Sequence, residues 1–399
     1  MPTLSSRASF WTAAAVAALA LWSSAAPTLA YPLYEAQWGI SSADATWIFS
    51  AYPAMLIVVL VLFGNLSDYI GRRNTILLGL GAQIIGTLVF AFAPGYAWLI
   101  IARLFIGAGV GLALSPASVA MVEFAAPGKK ESAGSVTTTA TAVGLALSTL
   151  VGGALIQYAP LPLHLNFFVL AAVTLVVFVF ATALPRHNPA EPAGRWRVRP
   201  IAIPRGSRKL FGIGALTISA AYLCGALILP LGAQIAHTLA GSNNALVTGS
   251  LMAIFPVMVA AGSLLTRTWH VRSLTFTAGI TLIIGLWLFD LTGSVPSLAL
   301  YFVASALAGL GYGLSFTAGL TILTRFAAPK HRASMVSGGY LIGYVFQGGA
   351  APILGAITTG SGIRTALLVG AISYTLIFLV MMISARRLTT PSPEVAAAA

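Results

Sequence analysis

GNLSDYIGRRN, residues 64–74, is the stretch on which the reading of this chain turns. It lies between two apolar segments of helical length, 45–64 and 74–93, and brings Asp68, Arg72 and Arg73 together in a chain of which only 7% is charged. Gly64 and Gly71 permit a tight turn and close backbone approach there. The chain is 58% hydrophobic, with a mean hydropathy of +0.93. A typical soluble domain carries roughly 25% charged residues, and a water-facing surface cannot be covered with so few. Lipid is therefore the solvent for most of this sequence, and the charged stretch is a loop that turns the chain back towards it.

A bilayer core takes roughly 20 apolar residues per helix. Twelve such spans are expected, at 9–35, 45–64, 74–93, 96–122, 132–158, 163–185, 210–238, 244–267, 273–291, 296–324, 332–358 and 362–385. The segment 186–209, rich in Pro and Arg, lacks helical periodicity and reads as a linker. It separates a six-helix half, 1–185, from a second, 210–385, which a tail at 386–399 follows. The halves repeat at an offset of 202 residues: FAAP at 124–127 recurs at 326–329, Gly107, Gly109 and Gly111 fall on Gly309, Gly311 and Gly313, and Gly153-Ala154 falls on Gly355-Ala356. The first thirty residues imitate a secretory signal, with Arg7 before an apolar run and Thr28-Leu29-Ala30 as a mock cleavage site. An uncleaved first helix is expected, because removing it would leave an odd number of spans and destroy the repeat.

The net charge of +13 would suggest nucleic acid in a soluble protein, but these cations sit in short loops. With the amino terminus inside, every Lys and Arg of the 21 except Arg103 and Arg364 falls on the cytoplasmic side. That asymmetry predicts both termini inside an inner (plasma) membrane, with lipid and not nucleic acid as the surroundings. Cys224 is the lone cysteine, so no internal disulfide forms, and there is no Cys/His cluster for a metal or reason to expect a cofactor. No nucleophile–base pair or phosphate-cradling loop points to an enzyme.

The 64–73 loop resembles the loop between helices 2 and 3 of the major facilitator superfamily, Gly-x-Leu-Ala-Asp-Arg-x-Gly-Arg-Lys. Gly64, Leu66, Asp68, Gly71, Arg72 and Arg73 match, and Tyr69 replaces a cation. The resemblance implies an all-α membrane protein of twelve transmembrane helices in two pseudo-symmetric six-helix halves that work by alternating access. It also implies a conformational latch at Gly64, Asp68, Gly71, Arg72 and Arg73. Asp68 would meet the amino-terminal end of the eleventh span, near His331 to Met335, where a carboxylate favours the helix dipole. The matching loop of the second half, from Gly262, lacks the acid, so the latch would be one-sided. A solvated loop with an incidental acid is the structural alternative.

Arg103 is the one cation expected inside a span, roughly 10 Å below its outer end at about 1.5 Å per residue. Charge at that depth faces a cavity or a partner. IIARLFIGAGVG is similar to the helix-4 pattern of the superfamily's proton antiporters, Leu-x-x-Arg-x-x-Gln-Gly-x-Gly. Arg103, Gly107 and Gly109 match, and Ile106 stands for Gln. GLALSTLVGG, 144–153, resembles the helix-5 pattern of the twelve-helix drug:proton antiporters. Gly144, Gly152 and Gly153 match, but Ser148-Thr149 replace Gly-Pro, which weakens the expected bend. Gly107, Gly144, Gly152 and Gly153 are also read as close helix-packing positions. Arg103 is either a structural cation bonded to carbonyls or a coupling charge. None of the eight acids sits in mid-span. Glu35, after a helix broken by Pro27 and Pro32, is the candidate titrating partner, with an interfacial acid in water as the equal alternative.

The remaining expected lining is neutral: Trp22, Thr28 and Tyr31 on the first span, Tyr52 on the second, Tyr222 and Gln234 on the seventh, Tyr312 on the tenth, and Tyr340, Tyr344 and Gln347 on the eleventh. Such walls suit apolar or amphipathic solutes, and core packing is the alternative for each. The reading is a monomeric secondary transporter exporting small apolar or amphipathic compounds, with protons as the coupling partner. The alternative is a proton-independent facilitator or a metabolite symporter, which the shortage of membrane acids favours. A transport-dead membrane sensor is the remaining alternative.

Overall fold

In a computed structural model of the chain, residues 3–126, 133–186, 203, 205–240, 244–265, 269–325, 332–386 and 388 are described. Most of the 186–209 linker, nearly all of the tail and His331 lie outside the described residues. Among the described residues the regular structure is helical, and 12 helical stretches are long and apolar enough to cross a bilayer.

Proline and capping chemistry set the breaks. Helix α1 (Ser6–Ala25) starts on Ser5, whose hydroxyl accepts from Ala8 N–H at 3.3 Å, and stops short of Pro27. A single tight turn, Thr28–Ala30, leads into α2 (Tyr31–Trp38), which carries proline at its start and ends on Gly39 at φ 65°. α3 (Ser42–Phe63) is opened by a reciprocal cap: Ser41 Oγ accepts from Asp44 N–H at 3.2 Å, and Asp44 Oδ2 accepts from Ser41 N–H at 2.8 Å. Ser41 is thus the N-cap of this helix and Asp44, in its first turn, the reciprocal partner.

The deciding stretch folds as one short helical turn, α4 (Ser67–Ile70), followed by α5 (Arg72–Ala91). Gly71 joins them at φ 82°, ψ 154°, a conformation that disfavours any side chain. Gly64 stands at an ordinary φ of −58°, and its requirement is space: a Cβ there would lie 2.4 Å from Leu60 O. The chain continues through α6 (Tyr96–Phe124), α7 (Ala133–Tyr158) and α8 (Leu165–Thr182). The later helices are α9 (Arg208–Ala240), α10 (Ala245–Leu265), α11 (Val271–Thr292), α12 (Leu298–Arg325), α13 (Arg332–Ser361) and α14 (Ile363–Ala385).

The helices gather into two compact units, residues 1–199 with 229–257, and residues 200–228 with 258–399. The division passes through α9 and α10 as well as the linker. Within the first unit α6 packs on α1, α3 and α5, and α1 packs on α7. Within the second, α11 packs on α12 and α14. Apolar side chains gain little by leaving lipid for one another, so close backbone approach at small residues supplies the packing. On the α5–α6 seam a Cβ at Gly79 would lie 2.7 Å from Ala113 Cβ, and one at Gly109 2.6 Å from Gln83 Cγ. Gly311, the repeat partner of Gly109, is equally tight on the α11–α12 seam, 2.7 Å from Thr281 Oγ1.

Candidate functional site

The first unit holds a charge centre. Arg103 on α6 is fully buried, and among the described residues it is the only buried charged side chain. Its guanidinium reaches the break in the first span. Nη1 donates to Ser24 O at 2.5 Å, and Nη2 donates to the Tyr31 hydroxyl. The last carbonyls of a helix lack intrahelical donors, and a cation there also meets the negative end of the helix dipole. A second side chain serves the same break: Asn166 Nδ2 on α8 donates to Ala26 O at 3.2 Å. Three rings surround the charge, those of Tyr31, Phe49 and Phe90, with centroids 5.8, 5.9 and 5.9 Å from the guanidinium carbon. Phe90 is itself stacked on Phe167 at 4.8 Å, which ties α5 to α8 behind the site. Arg103 Nε has no hydrogen-bond partner, nor do Trp22 Nε1 and Thr28 Oγ1, all three buried.

Glu35 is not joined to this centre. Among the described residues no ion pair links it to Arg103; half-buried on α2, it hydrogen-bonds the Ser42 side chain. The pairing expected across the first and fourth spans is therefore not formed in this structure, because the guanidinium is directed at the break rather than at the end of α2.

The second unit holds an aromatic cluster instead. Tyr222 on α9 meets Tyr344 of α13 with ring centroids 4.7 Å apart, Tyr312 of α12 at 6.4 Å and Phe316 of α12 at 6.3 Å. Phe316 stacks on Tyr312 at 6.3 Å and on Tyr340 at 5.8 Å. Tyr222 and Tyr344 are hydrogen-bonded. Tyr222 and Tyr344 are buried, whereas Tyr312, Phe316 and Tyr340 are half-exposed. Tyr340, Tyr344 and Gln347 recur at helical spacing on one face of α13, and Gln347 is buried with Oε1 lacking a hydrogen-bond partner.

The family model of the Major Facilitator Superfamily (MFS) matches residues 10–289. The chain belongs to the Major Facilitator Superfamily. Among curated relatives, the MFS-type transporter EfpA of Mycobacterium tuberculosis is 26% identical over 349 residues, 81% of this chain and 60% of EfpA. The chain thus spans about 60% of the length of that relative. The multidrug efflux pump LfrA of Mycolicibacterium smegmatis is 30% identical over 131 residues, 32% of this chain and 26% of LfrA. Among solved structures, a bacterial homologue of the human lysosomal transporter Spinster matches with a TM-score of 0.76 at 16% identity, covering 97% of this chain and 99% of its own. The nucleoside transporter NupG matches with a TM-score of 0.74 at 15% identity, covering 94% and 99%. These two show the shared fold. Family and neighbours are transporters, not enzymes.

The MFS loop motif is engaged within the first unit. Arg72 forms an ion pair with Glu123 at the end of α6, and Arg73 Nη1 donates to Leu184 O beyond α8 at 3.4 Å. Asp68 lies in α4 and acts electrostatically on Arg72. The glycines of α7 divide their work. A Cβ at Gly144 would lie 1.9 Å from Ala18 O on α1, and one at Gly153 2.7 Å from Ala245 O on α10. Gly152 is in ordinary contact range of Asn166 and Leu29, and a Cβ at Gly107 would lie 2.4 Å from Tyr52 O on α3. Tyr52 is buried on α3, and Gln234 is half-buried on the part of α9 that belongs to the first unit.

Sequence reasoning missed Asn166, Phe49, Phe90 and Phe316. Asn166 left a signal, an amide in an otherwise apolar span. The phenylalanines left none, because ring contacts between helices are not written in the sequence of either helix.

Proposed function

We propose that this chain is a secondary active transporter that exports small apolar or amphipathic compounds by alternating access, with protons as the driving ion. The observation that carries the reading is the hold of Arg103 on the broken first span. A buried charge at a helix break is costly to maintain and sensitive to any rearrangement there. Puromycin resistance protein pur8 of Streptomyces alboniger, 29% identical over 162 residues, and the pump LfrA support the export direction by their names. The tyrosine cluster and Gln347 supply the neutral, aromatic part of a substrate wall. In this reading the protein works as a monomer in the inner membrane with both termini cytoplasmic. Asp68 helps hold the latch, and the chain divides functionally into halves 1–185 and 210–385.

Glu35 takes the role of titrating acid, approaching Arg103 in another conformation. A nearby cation favours an ionised carboxylate and burial favours a protonated one, so alternation between these settings loads and releases a proton. The bond of Glu35 to Ser42 rather than to Arg103 favours the second reading, a proton-independent facilitator or symporter. Proton flux in proteoliposomes separates them. Glu35→Gln should remove transport driven by a pH gradient while leaving substrate exchange. An unchanged proton stoichiometry in that variant would place the coupling acid elsewhere, whereas transport without any proton flux in the wild type would leave the facilitator reading standing.

A further inference from the structure

The tyrosine cluster is not required by the fold. At the offset of 202 residues, Tyr222, Tyr312, Phe316, Tyr340, Tyr344 and Gln347 correspond to Ala20, Val110, Leu114, Thr138, Ala142 and Leu145. The first unit is packed at these positions by small and aliphatic residues and one threonine. Five linked rings and a buried amide in the second unit are therefore an addition to a frame that packs without them. The half-exposed rings of Tyr312, Phe316 and Tyr340 leave part of the cluster accessible, and the unpartnered Gln347 Oε1 lies on the α13 face that carries Tyr340 and Tyr344. A buried carbonyl without a donor costs free energy that a ligand hydroxyl or N–H would recover.

Charge narrows the ligand further. No carboxylate is buried among the described residues, and the one buried charge is the cation Arg103. A ligand cation would lose its hydration without a buried carboxylate to pair with, and ring faces and phenol oxygens would repay only part of that cost. We propose that the tyrosine cluster recognises planar, uncharged aromatic compounds bearing one hydrogen-bond donor, which Gln347 Oε1 accepts. This rests on the export reading and names the substrate class of the same site.

Four probes of similar size test it: naphthol, methoxynaphthalene, decahydronaphthol and trimethylnaphthylammonium. Binding is measured by equilibrium dialysis on the purified full chain, and export by accumulation in cells expressing it. Naphthol should bind tightest, with methoxynaphthalene about tenfold weaker, the scale of one lost hydrogen bond. Gln347→Leu should weaken naphthol by about the same factor and leave methoxynaphthalene unchanged. Tyr344→Leu should weaken both aromatic compounds and leave decahydronaphthol, already a poor ligand, unaffected. Trimethylnaphthylammonium binding as tightly as naphthol would overturn the inference, as would a Gln347→Leu variant that binds both aromatic compounds like the wild type. Export of the ammonium alone would overturn the substrate class and leave the efflux reading intact. Naphthol that binds as described but is carried inwards, or not moved, would overturn the efflux reading and leave the recognition site standing.

Discussion

The two units of this molecule are built on one packing frame and then made different. At their repeated glycines both bring helices to near backbone contact, Gly109 against α5 and Gly311 against α11. Their polar specialisations do not repeat. Arg103 in the first unit corresponds to Ser305 in the second, and the rings around Tyr222 in the second correspond to small and aliphatic residues in the first. The helix seams differ in the same sense. In the first unit Gly144 lets α7 meet the backbone of α1 at Ala18 O, whereas in the second Gly343 lets α13 meet a side chain, the Tyr222 ring. What repeats is architecture, and what fails to repeat is the buried charge of the first unit and the ring cluster of the second.

The largest test of that contrast is Arg103→Ala. It leaves Ser24 O and the Tyr31 hydroxyl without their donor inside the first unit. Each stranded group costs about 1–3 kcal/mol, so the thermal midpoint should fall and transport should be abolished. Arg103→Lys should restore part of both, since it keeps the charge and loses the fork that reaches two acceptors. Ser305→Ala, the same position of the second unit, removes a buried hydroxyl that interacts with Tyr301 and should leave transport within about twofold while costing about 1 kcal/mol, the scale of one hydrogen bond. Wild-type transport by a destabilised Arg103→Ala protein would make the arginine a structural pin alone, and the contrast between the units would lose its functional half.

A second test sets the two seams against each other. Gly144→Ala puts a methyl where Ala18 O stands, 1.9 Å from the ideal Cβ, and neither backbone can yield without moving a helix. Overpacking of this kind costs about 1–3 kcal/mol or more. Gly343→Ala places its methyl 2.3 Å from Tyr222 Cδ2, and a ring can shift where a backbone cannot. Alanine also gains about 1 kcal/mol of helix propensity over glycine. Gly343→Ala should therefore unfold within a few degrees of the wild type while transport drops through the displaced Tyr222. Gly144→Ala should lose expression and thermal midpoint together. Equal losses of stability in both variants would show that the Tyr222 face is as rigid as the α1–α7 seam and would remove the distinction.

Much of this was legible in the sequence because lipid leaves few ways to fold. Twelve apolar stretches, a cation-bearing turn at 64–74 and glycines recurring at one offset suffice for a helical bundle of the superfamily. Arg103 stood out because a charge in an apolar span is costly and must face a cavity or a partner. Its partners were not legible. The carbonyls of Ser24 and Ala26 are backbone atoms that any sequence possesses, and only the break at Pro27 exposes them. Glu35 was chosen because it follows the break at Pro27 and Pro32 and no acid lies in mid-span, and position along a helix does not say which way a side chain turns; in the structure it turns to Ser42. The tyrosines were read one by one as lining, and their assembly around Tyr222, with Phe316 between Tyr312 and Tyr340, needed the crossing of three helices to appear.

The smallest effect is expected at the end of the units that carries the 64–74 loop. The Arg72–Glu123 pair has side chains 25% and 31% exposed, and pairs of that kind contribute about 1 kcal/mol or less. The repeat matches Glu123 to Arg325, so the second unit has no carboxylate there. Its Arg272 donates to Leu388 O beyond α14 instead, much as Arg73 does to Leu184 O beyond α8. A double-mutant cycle of Arg72→Gln and Glu123→Gln should give a coupling of about 0.5 kcal/mol that fades in molar salt, where screening acts over roughly 3 Å. Asp68→Asn leaves that pair in place and should lower transport with the thermal midpoint unchanged, because its proposed role is in switching and not in packing. If Glu123→Gln slows transport as much as Asp68→Asn does, the switching charge is the ion pair that ties α5 to α6. The asymmetry between the units would then lie in the acid at Glu123, where the repeat has Arg325, rather than in the acid of the loop.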